Sequence, residues 1–286
     1  MNYRHIYHAG NVCDVVKHTA LCLMLEHFLK KDAPFFLLDT HAGTGVYDLK
    51  DERAAKTQEA QEGVLKLLDG KRIPELQTYY DALRKLNIGW AGESSEGFRY
   101  YPGSPLLALQ LMRKTDRLVA CELHPEDAEE LKRQLFPFKN AHAHQRDGYE
   151  ALGAFLPPAE KRGFVLIDPP FEAVNEFDRL AESLISATKR WEQGTFMVWY
   201  PIKERPAIWG FHEKFASGGI PNVLVAEYIY REEDRHDRLN GSGLLVINPP
   251  WQMDVKLKKL FQNLHEVLPP SFVGDQIKWL SKEAQA

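Results

Sequence analysis

From Asp14 to Lys31 apolar residues recur at Val15, Leu21, Leu25 and Phe28, with Val16, Ala20, Leu23 and Met24 filling in, and this spacing predicts a helix with an apolar face. A short apolar run, Pro34 to Asp39, follows it and breaks into Asp39-Thr40-His41-Ala42-Gly43-Thr44-Gly45, which reads as a strand ending in a glycine turn. The pattern then turns polar and charged over residues 46–97, with helix-compatible stretches at Lys56 to Leu68 and Pro74 to Leu86, so this segment is expected to be an inserted helical subdomain. Ser104 and Pro105 suit the start of another helix. Beyond it the alternation becomes regular. Leu118 to Glu122, His142 to Arg146 (weaker) and Phe164 to Asp168 read as strands, and helical stretches begin near Pro125, Gly148 and Val174. Strand following helix in this way means a parallel sheet covered on both faces. Thr195 to Tyr200, Asn222 to Tyr230 and Gly243 to Asn248 add further strands, the last two forming an antiparallel pair joined by the polar loop Arg231 to Ser242. The expectation is therefore an α/β, Rossmann-like sheet of about seven strands, as one domain over residues 1–286 that carries the 46–97 insertion.

Composition narrows the classes. With 44% hydrophobic and 27% charged residues in 286, the chain is a folded globular one. No apolar run approaches the roughly 18 residues of a membrane span, and the amino terminus lacks the apolar core of an export signal, so a cytoplasmic protein is expected. Three cysteines, Cys13, Cys22 and Cys121, are too few and too scattered for a disulfide framework or a thiolate zinc site, and read as small core residues. His5-x-x-His8 and His142-x-His144 have spacings a metal could use, but neither has a nearby third ligand and no metal is expected. The net charge of -4 is not that of a protein that coats nucleic acid; any RNA contact must come from local clusters. Arg4, Lys17, Lys30 and Lys31 form one cluster and Lys256, Lys258 and Lys259 another, though each also reads as a solvated helix face.

Chemistry concentrates at four strand ends: Gly43-x-Gly45, Glu122, Asp147-Gly148 and Asp168-Pro169-Pro170-Phe171. In open α/β sheets ligands collect beyond the carboxyl ends of the strands. Glycines let backbone approach a ligand, Glu122 can accept from ribose hydroxyls and Asp147 from an adenine amino group, which together describe an adenosine-bearing cofactor. The third glycine of a dinucleotide fingerprint is replaced by Asp48, and the Gly-Lys-Ser/Thr of a phosphate loop is missing. S-adenosylmethionine, whose cationic groups suit a carboxylate-rich pocket, remains. The turn after the fourth strand suits methylation of an exocyclic base amine. The Asp168 carboxylate and Pro169 carbonyl can each accept an amine hydrogen, the prolines stiffen the turn, and Phe171 offers a stacking face worth about 1–3 kcal/mol. A look-alike, Asn248-Pro249-Pro250-Trp251, would leave the intervening acids unused and reads as a structural corner.

The chain resembles the RlmJ family of bacterial 23S rRNA adenine-N6 methyltransferases over nearly its whole length. The resemblance is carried by Tyr3-Arg4-His5, His8-Ala9-Gly10-Asn11, Asp14-Val15-Val16-Lys17-His18, Leu38-Asp39-Thr40-His41-Ala42-Gly43, Tyr100-Tyr101-Pro102-Gly103-Ser104-Pro105, Glu122-Leu123-His124-Pro125, Asp147-Gly148, Ile167-Asp168-Pro169-Pro170, Trp199-Tyr200-Pro201 and Ile247-Asn248-Pro249-Pro250-Trp251. It implies methyl transfer from S-adenosylmethionine to one adenine of naked or early large-subunit rRNA. It places His18, His41, Ser104, Glu122, Asp147, Gly148 and Asp168 around the cofactor, makes Asp168 catalytic, and makes Tyr3 a substrate contact. No obligate protein partner is implied. Phe171 stands where a well-known member of the family has tyrosine, so a hydroxyl is lost while the stacking face is kept, and Asp-Pro-Pro-Phe also occurs in guanine-N2 rRNA methyltransferases. A guanine-N2 or DNA methyltransferase with the same pocket, or a non-catalytic rRNA-binding assembly factor, are the competing expectations.

Overall fold

A computed structural model describes residues 4–91, 98–233, 235, 237–268 and 274–282. Helix α1 (Val12–Leu29) leads into β1 (Phe36–Asp39), and the inserted segment runs from β2 (Val46–Asp48) through α2 (Glu52–Thr57), α3 (Glu59–Glu62), α4 (Val64–Asp69) and α5 (Gln77–Ala91) to β3 (Tyr100–Pro102). After α6 (Ser104–Leu109) the chain alternates β4 (Arg117–Glu122), α7 (Pro125–Leu135), β5 (Ala141–Gln145), α8 (Gly148–Phe155), β6 (Gly163–Ile167), α9 (Glu176–Arg190), β7 (Thr195–Ile202) and α10 (Arg205–Ser217). It closes with β8 (Val223–Ile229), β9 (Gly241–Ile247), α11 (Met253–Val267) and β10 (Gln276–Ser281).

The main sheet has eight strands in the order β10-β8-β9-β7-β6-β1-β4-β5. β5, β4, β1, β6 and β7 are parallel, while β9, β8 and β10 are added antiparallel. The expected α/β class and the antiparallel β8–β9 pair are present, but about seven strands undercounts them: β10 extends the sheet, and β2 and β3 form a separate antiparallel ribbon. Strand β5 was the weakest in the sequence because it is the sheet edge, where only part of each face is covered. The central strands are continuously apolar because alternate side chains enter two cores. Leu37, Phe164 and Leu166 join one cluster with α1, α6 and α11, and Phe36, Leu38, Val165 and Ile167 join the other with α8, α9 and α10.

Two expectations about the first hundred residues are corrected. Segment 46–97 is not wholly helical, since its start pairs with the strand at its exit, Val46 opposite Pro102. The helix-compatible stretch from Lys56 to Leu68 is helical but divided into short pieces at Gln58, which is left-handed with φ 55°, and at Gly63. The apolar residues of α4 and α5, such as Val64, Leu67, Tyr79 and Leu83, belong to the same buried cluster as α1 and the sheet. That is why α1 is not the one-sided helix its periodicity suggested. It packs between β9, α6 and α11 and the inserted α3 and α5, and is buried nearly all round. The three cysteines are buried and unpaired, as expected of core residues. No helix among the described residues is long and apolar enough to cross a membrane.

Candidate active site

From β1 the chain moves to β4 and β5 on one side, then returns to place β6 on the other, so a crevice opens beyond the carboxyl ends of β1 and β6. A cleft of about 960 Å³ fills it, and His18, His41, Gly43, Ser104, Glu122, Asp147, Gly148, Asp168, Pro169 and Phe171 all line it. Tyr3 lies outside the described residues.

The wall over β1, β4 and β5 is acidic and tightly built. Gly43 has φ +61°, and a Cβ there would sit 2.1 Å from the Tyr47 hydroxyl, so only glycine fits the turn. Its N–H donates to Glu122 Oε2 at 3.0 Å, while Oε1 accepts from the His124 N–H at 2.8 Å. Burial pushes the Glu122 carboxyl above its ordinary range. Asp147 caps α8, accepting from the N–H groups of Tyr149 at 2.9 Å and Glu150 at 3.2 Å, and its other oxygen accepts from Arg179 at 2.8 Å. Burial opposes its charge, but Arg179 and these amides hold it below the usual carboxylate range. A Cβ on Gly148 would lie 2.4 Å from the Thr40 carbonyl oxygen and 2.6 Å from the His41 ring, so α8 begins directly against the loop after β1. His41 stands edge-on to Tyr149 with Nδ1 2.8 Å from Thr40 Oγ1, and burial lowers it to about 4. Ser104, at the start of α6, donates to Asp39 Oδ2 at 2.6 Å. Among the described residues Asp39 Oδ1 is buried without a hydrogen-bond partner, and burial, reinforced by the charge of Asp168, pushes this carboxyl up to about 7.

Across the crevice, β6 ends in the Asp168-Pro169-Pro170-Phe171 turn. Asp168 is ion-paired to Lys17 of α1. Lys17 also reaches Asp14 Oδ1 at 2.9 Å, and Asp14 Oδ2 meets His5 Nε2 at 2.9 Å and the Gly10 N–H at 2.9 Å. Desolvation works against both buried charges. The pairing wins: His5 and Lys17 hold Asp14 well below, and Asp14 and Asp168 hold Lys17 well above, their ordinary values. Phe171 has φ 50°, a left-handed conformation costly for an aromatic residue. Its ring is braced by Phe177 at 4.8 Å and meets Trp199 edge-on at 6.0 Å. The Trp199 indole N–H is committed to Ser242 Oγ at 2.8 Å.

The model of the family described as "Ribosomal RNA large subunit methyltransferase D, RlmJ" matches residues 32–281. The chain belongs to the RlmJ family. It is 36% identical over 285 residues to "Ribosomal RNA large subunit methyltransferase J" of Haemophilus influenzae, with 99% of this chain and 100% of that protein covered. The protein of the same name from Escherichia coli is 35% identical over the same spans. A crystal structure of protein LPL1258 from Legionella pneumophila superposes with a TM-score of 0.86 at 32% identity, covering 96% of this chain and 99% of that one. As a member of this family the chain is an rRNA methyltransferase with the Rossmann-like architecture expected.

Several residues of this RlmJ-family cleft escaped the sequence reading. Lys17, grouped with surface cations on a solvated helix face, is 4% exposed and held inside by two carboxylates. One signal was available, since a lysine and an aspartate three residues apart share a face of an otherwise apolar helix. Asp39, which ends β1 immediately before the glycine turn, lies behind the wall and is tied to the cleft through Ser104. Trp199 was noted within a motif but given no role; its alternation with core-facing Tyr200 turns it to the cleft. His5 and His8, weighed as metal ligands, pair with Asp14 and Glu59. Among the described residues no group of three or more His, Cys, Asp and Glu side chains is arranged to hold a metal ion.

Proposed function

We propose that this enzyme transfers a methyl group from S-adenosylmethionine to the exocyclic N6 of one adenine in 23S rRNA, with Asp168 as the catalytic residue. The observation that carries the reading is the position of the Asp168 turn on the same crevice as the acid-lined ends of β1, β4 and β5. The donor set suits the cofactor. The carboxylates of Glu122, Asp147 and Asp168, which line the cleft, suit a molecule with two cationic centres and ribose hydroxyls, and the crowding at Gly43 and Gly148 brings backbone to the pocket wall. His18, His41, Ser104, Glu122, Asp147 and Gly148 would hold it, and when bound it supplies an electrophilic methyl carbon.

The protein's own task is to present the amine. Its lone pair is delocalised into the ring, and two acceptors, the Asp168 carboxylate and the Pro169 carbonyl, orient it by each taking one hydrogen. Lys17, anchored by Asp14, fixes the direction of the Asp168 carboxylate. Phe171 offers the stacking face, held by Phe177 behind it. Turning the adenine out of its stack costs a few kcal/mol, which stacking on Phe171 and burial in the cleft offset. Positioning both reactants can then remove roughly 7–11 kcal/mol of barrier. An enzyme acting on rRNA in this way works in the cytoplasm.

The test is to incubate the purified protein with 23S rRNA fragments and DNA in the presence of labelled methyl donor, and to analyse the nucleosides by mass spectrometry. N6-methyladenosine in RNA is the expected product. N2-methylguanosine, or label in DNA alone, would displace the adenine assignment; RNA binding with no donor affinity would make the protein an assembly factor.

A further inference from the structure

We infer that the inserted segment acts on the cofactor side of the cleft through a buried chain, Tyr79–Tyr101–His18, in which α5 fixes His18 as the Nε2–H tautomer and so as a hydrogen-bond donor to the methyl donor. Tyr79 and Tyr101 are positioning residues, and the inference rests on the proposed placement of the cofactor beside His18.

The geometry supplies every link. The Tyr79 hydroxyl on α5 is 3.1 Å from the Tyr101 hydroxyl on β3, which is 2.8 Å from His18 Nδ1 on α1. The Tyr101 and His18 rings also stack, 5.4 Å apart at 21°. All three side chains are essentially inaccessible, at 0%, 0% and 1% exposure, so water is a poor substitute partner. Burial keeps both phenols far above their ordinary range and lowers His18 to about 3, which leaves two O–H protons and one neutral imidazole to arrange.

Only one arrangement satisfies them. Among the described residues the Tyr79 hydroxyl has no hydrogen-bond partner besides Tyr101. If Tyr101 donated to Tyr79, the Tyr79 proton would be buried with no acceptor, an expensive omission. Tyr79 therefore donates to Tyr101, Tyr101 donates to Nδ1, and the imidazole proton is left on Nε2. In a wall otherwise supplied with the carboxylate acceptors Glu122 and Asp147, a neutral N–H donor is the complementary group. The insertion thus serves the cofactor from behind, with Tyr101 joining it to the turn that carries Ser104.

The experiment uses the full-length protein with Tyr79→Phe and Tyr101→Phe, each removing one hydroxyl. Three quantities are read: the ring 15N shifts of His18, the affinity for S-adenosylmethionine by calorimetry, and the KM for an rRNA fragment. The wild-type shifts should report Nε2–H. Tyr101→Phe should mix the tautomers and weaken donor binding about tenfold, with RNA KM unchanged, and Tyr79→Phe should act in the same direction by about threefold. An Nδ1–H wild type, or variants that bind the donor as wild type does, would overturn the inference while leaving the proposed reaction intact. A loss shared equally by donor and RNA together with a lowered melting temperature would also overturn it, by reducing the chain to structural support. Failure of the wild type itself to bind the donor would instead remove the cofactor reading on which the inference stands.

Discussion

Two corners of this molecule share a pattern, an aspartate or asparagine followed by two prolines and an aromatic residue: Asp168-Pro169-Pro170-Phe171 after β6 and Asn248-Pro249-Pro250-Trp251 after β9. Each contains a residue at φ 50°, Phe171 in the first and Asn248 in the second. Their surroundings share nothing. β6 is parallel to β1, so its corner opens on the crevice, whereas β9 is antiparallel to β7, with Ile247 opposite Phe196 at the beginning of β7, so its corner lies at the other end of the sheet. There Asn248 is consumed by structure: its amide donates to the carbonyls of Glu192 at 2.7 Å and Gly194 at 2.9 Å, and its own carbonyl accepts from Thr195 Oγ1 at 2.9 Å. Trp251 is 79% exposed and outside the cleft. Asp168 instead lines the cleft, and the strained φ falls on Phe171, which lines it too. A left-handed asparagine is comfortable; a left-handed phenylalanine must be held by its neighbours. The same four-residue pattern is a joint where the strand runs one way and part of the cleft wall where it runs the other.

The contrast is broken most directly at the acid. Asp168→Ala should lower kcat on the order of 10²–10³-fold while donor affinity, measured by calorimetry, persists; unchanged turnover would take Asp168 out of the chemistry. At the other corner Asn248→Ala should leave kcat/KM for rRNA as it is and cost about 2–3 kcal/mol in urea unfolding, because two amide bonds vanish and alanine is forced to positive φ. A large activity loss without destabilisation there would erase the distinction drawn between the corners. Phe171→Ala should weaken rRNA methylation by the equivalent of about 1–3 kcal/mol, and Phe171→Tyr should restore it, since the stacking face is what matters.

Acidification separates the two ends more gently. Folding holds His18 near 3, below the 6.5 of an unfolded histidine, so between these values the unfolded chain binds a proton that the native one refuses. Its contribution is thus lost as pH falls below 6.5. Asp39, raised to about 7, acts in the opposite sense over much of this window, so the informative quantity is a difference between proteins. Passing from pH 7 to 5, His18→Gln should lose about 2 kcal/mol less unfolding stability than wild type, and Asn248→Ala should parallel wild type. Trp251→Ala should be smallest of all, within about 0.5 kcal/mol in stability and neutral in activity, as befits an exposed side chain.

Much of the architecture was legible along the chain because the central strands carry continuous apolar runs, and Glu122 and Asp168 close such runs directly. β5 was faint because an edge strand needs only half the apolar signal, and β10 was missed because most of its residues are only partly covered. The insertion was misread in part because the three residues at each end of its ribbon become strands only by meeting each other across more than fifty residues. Within the cleft, the legible residues were those whose local setting declares them: a glycine turn, an acid closing a strand, a proline-stiffened corner. Tyr79 and Tyr101 carry no such mark, and Lys17 shows only its local pairing with Asp14, since the partners that complete their chemistry come from distant parts of the chain.

Taken alone, the order of residues determined the fold class, the family, the carboxylates at the strand ends and the stiff turn that follows the fourth of the parallel strands, because backbone periodicity and turn chemistry are local properties. Tertiary structure alone decided which of two similar corners lines the cleft, which lysine is a buried counter-ion, and which histidine stacks on a buried tyrosine. Strand direction and burial set those outcomes, and both are properties of the assembled sheet.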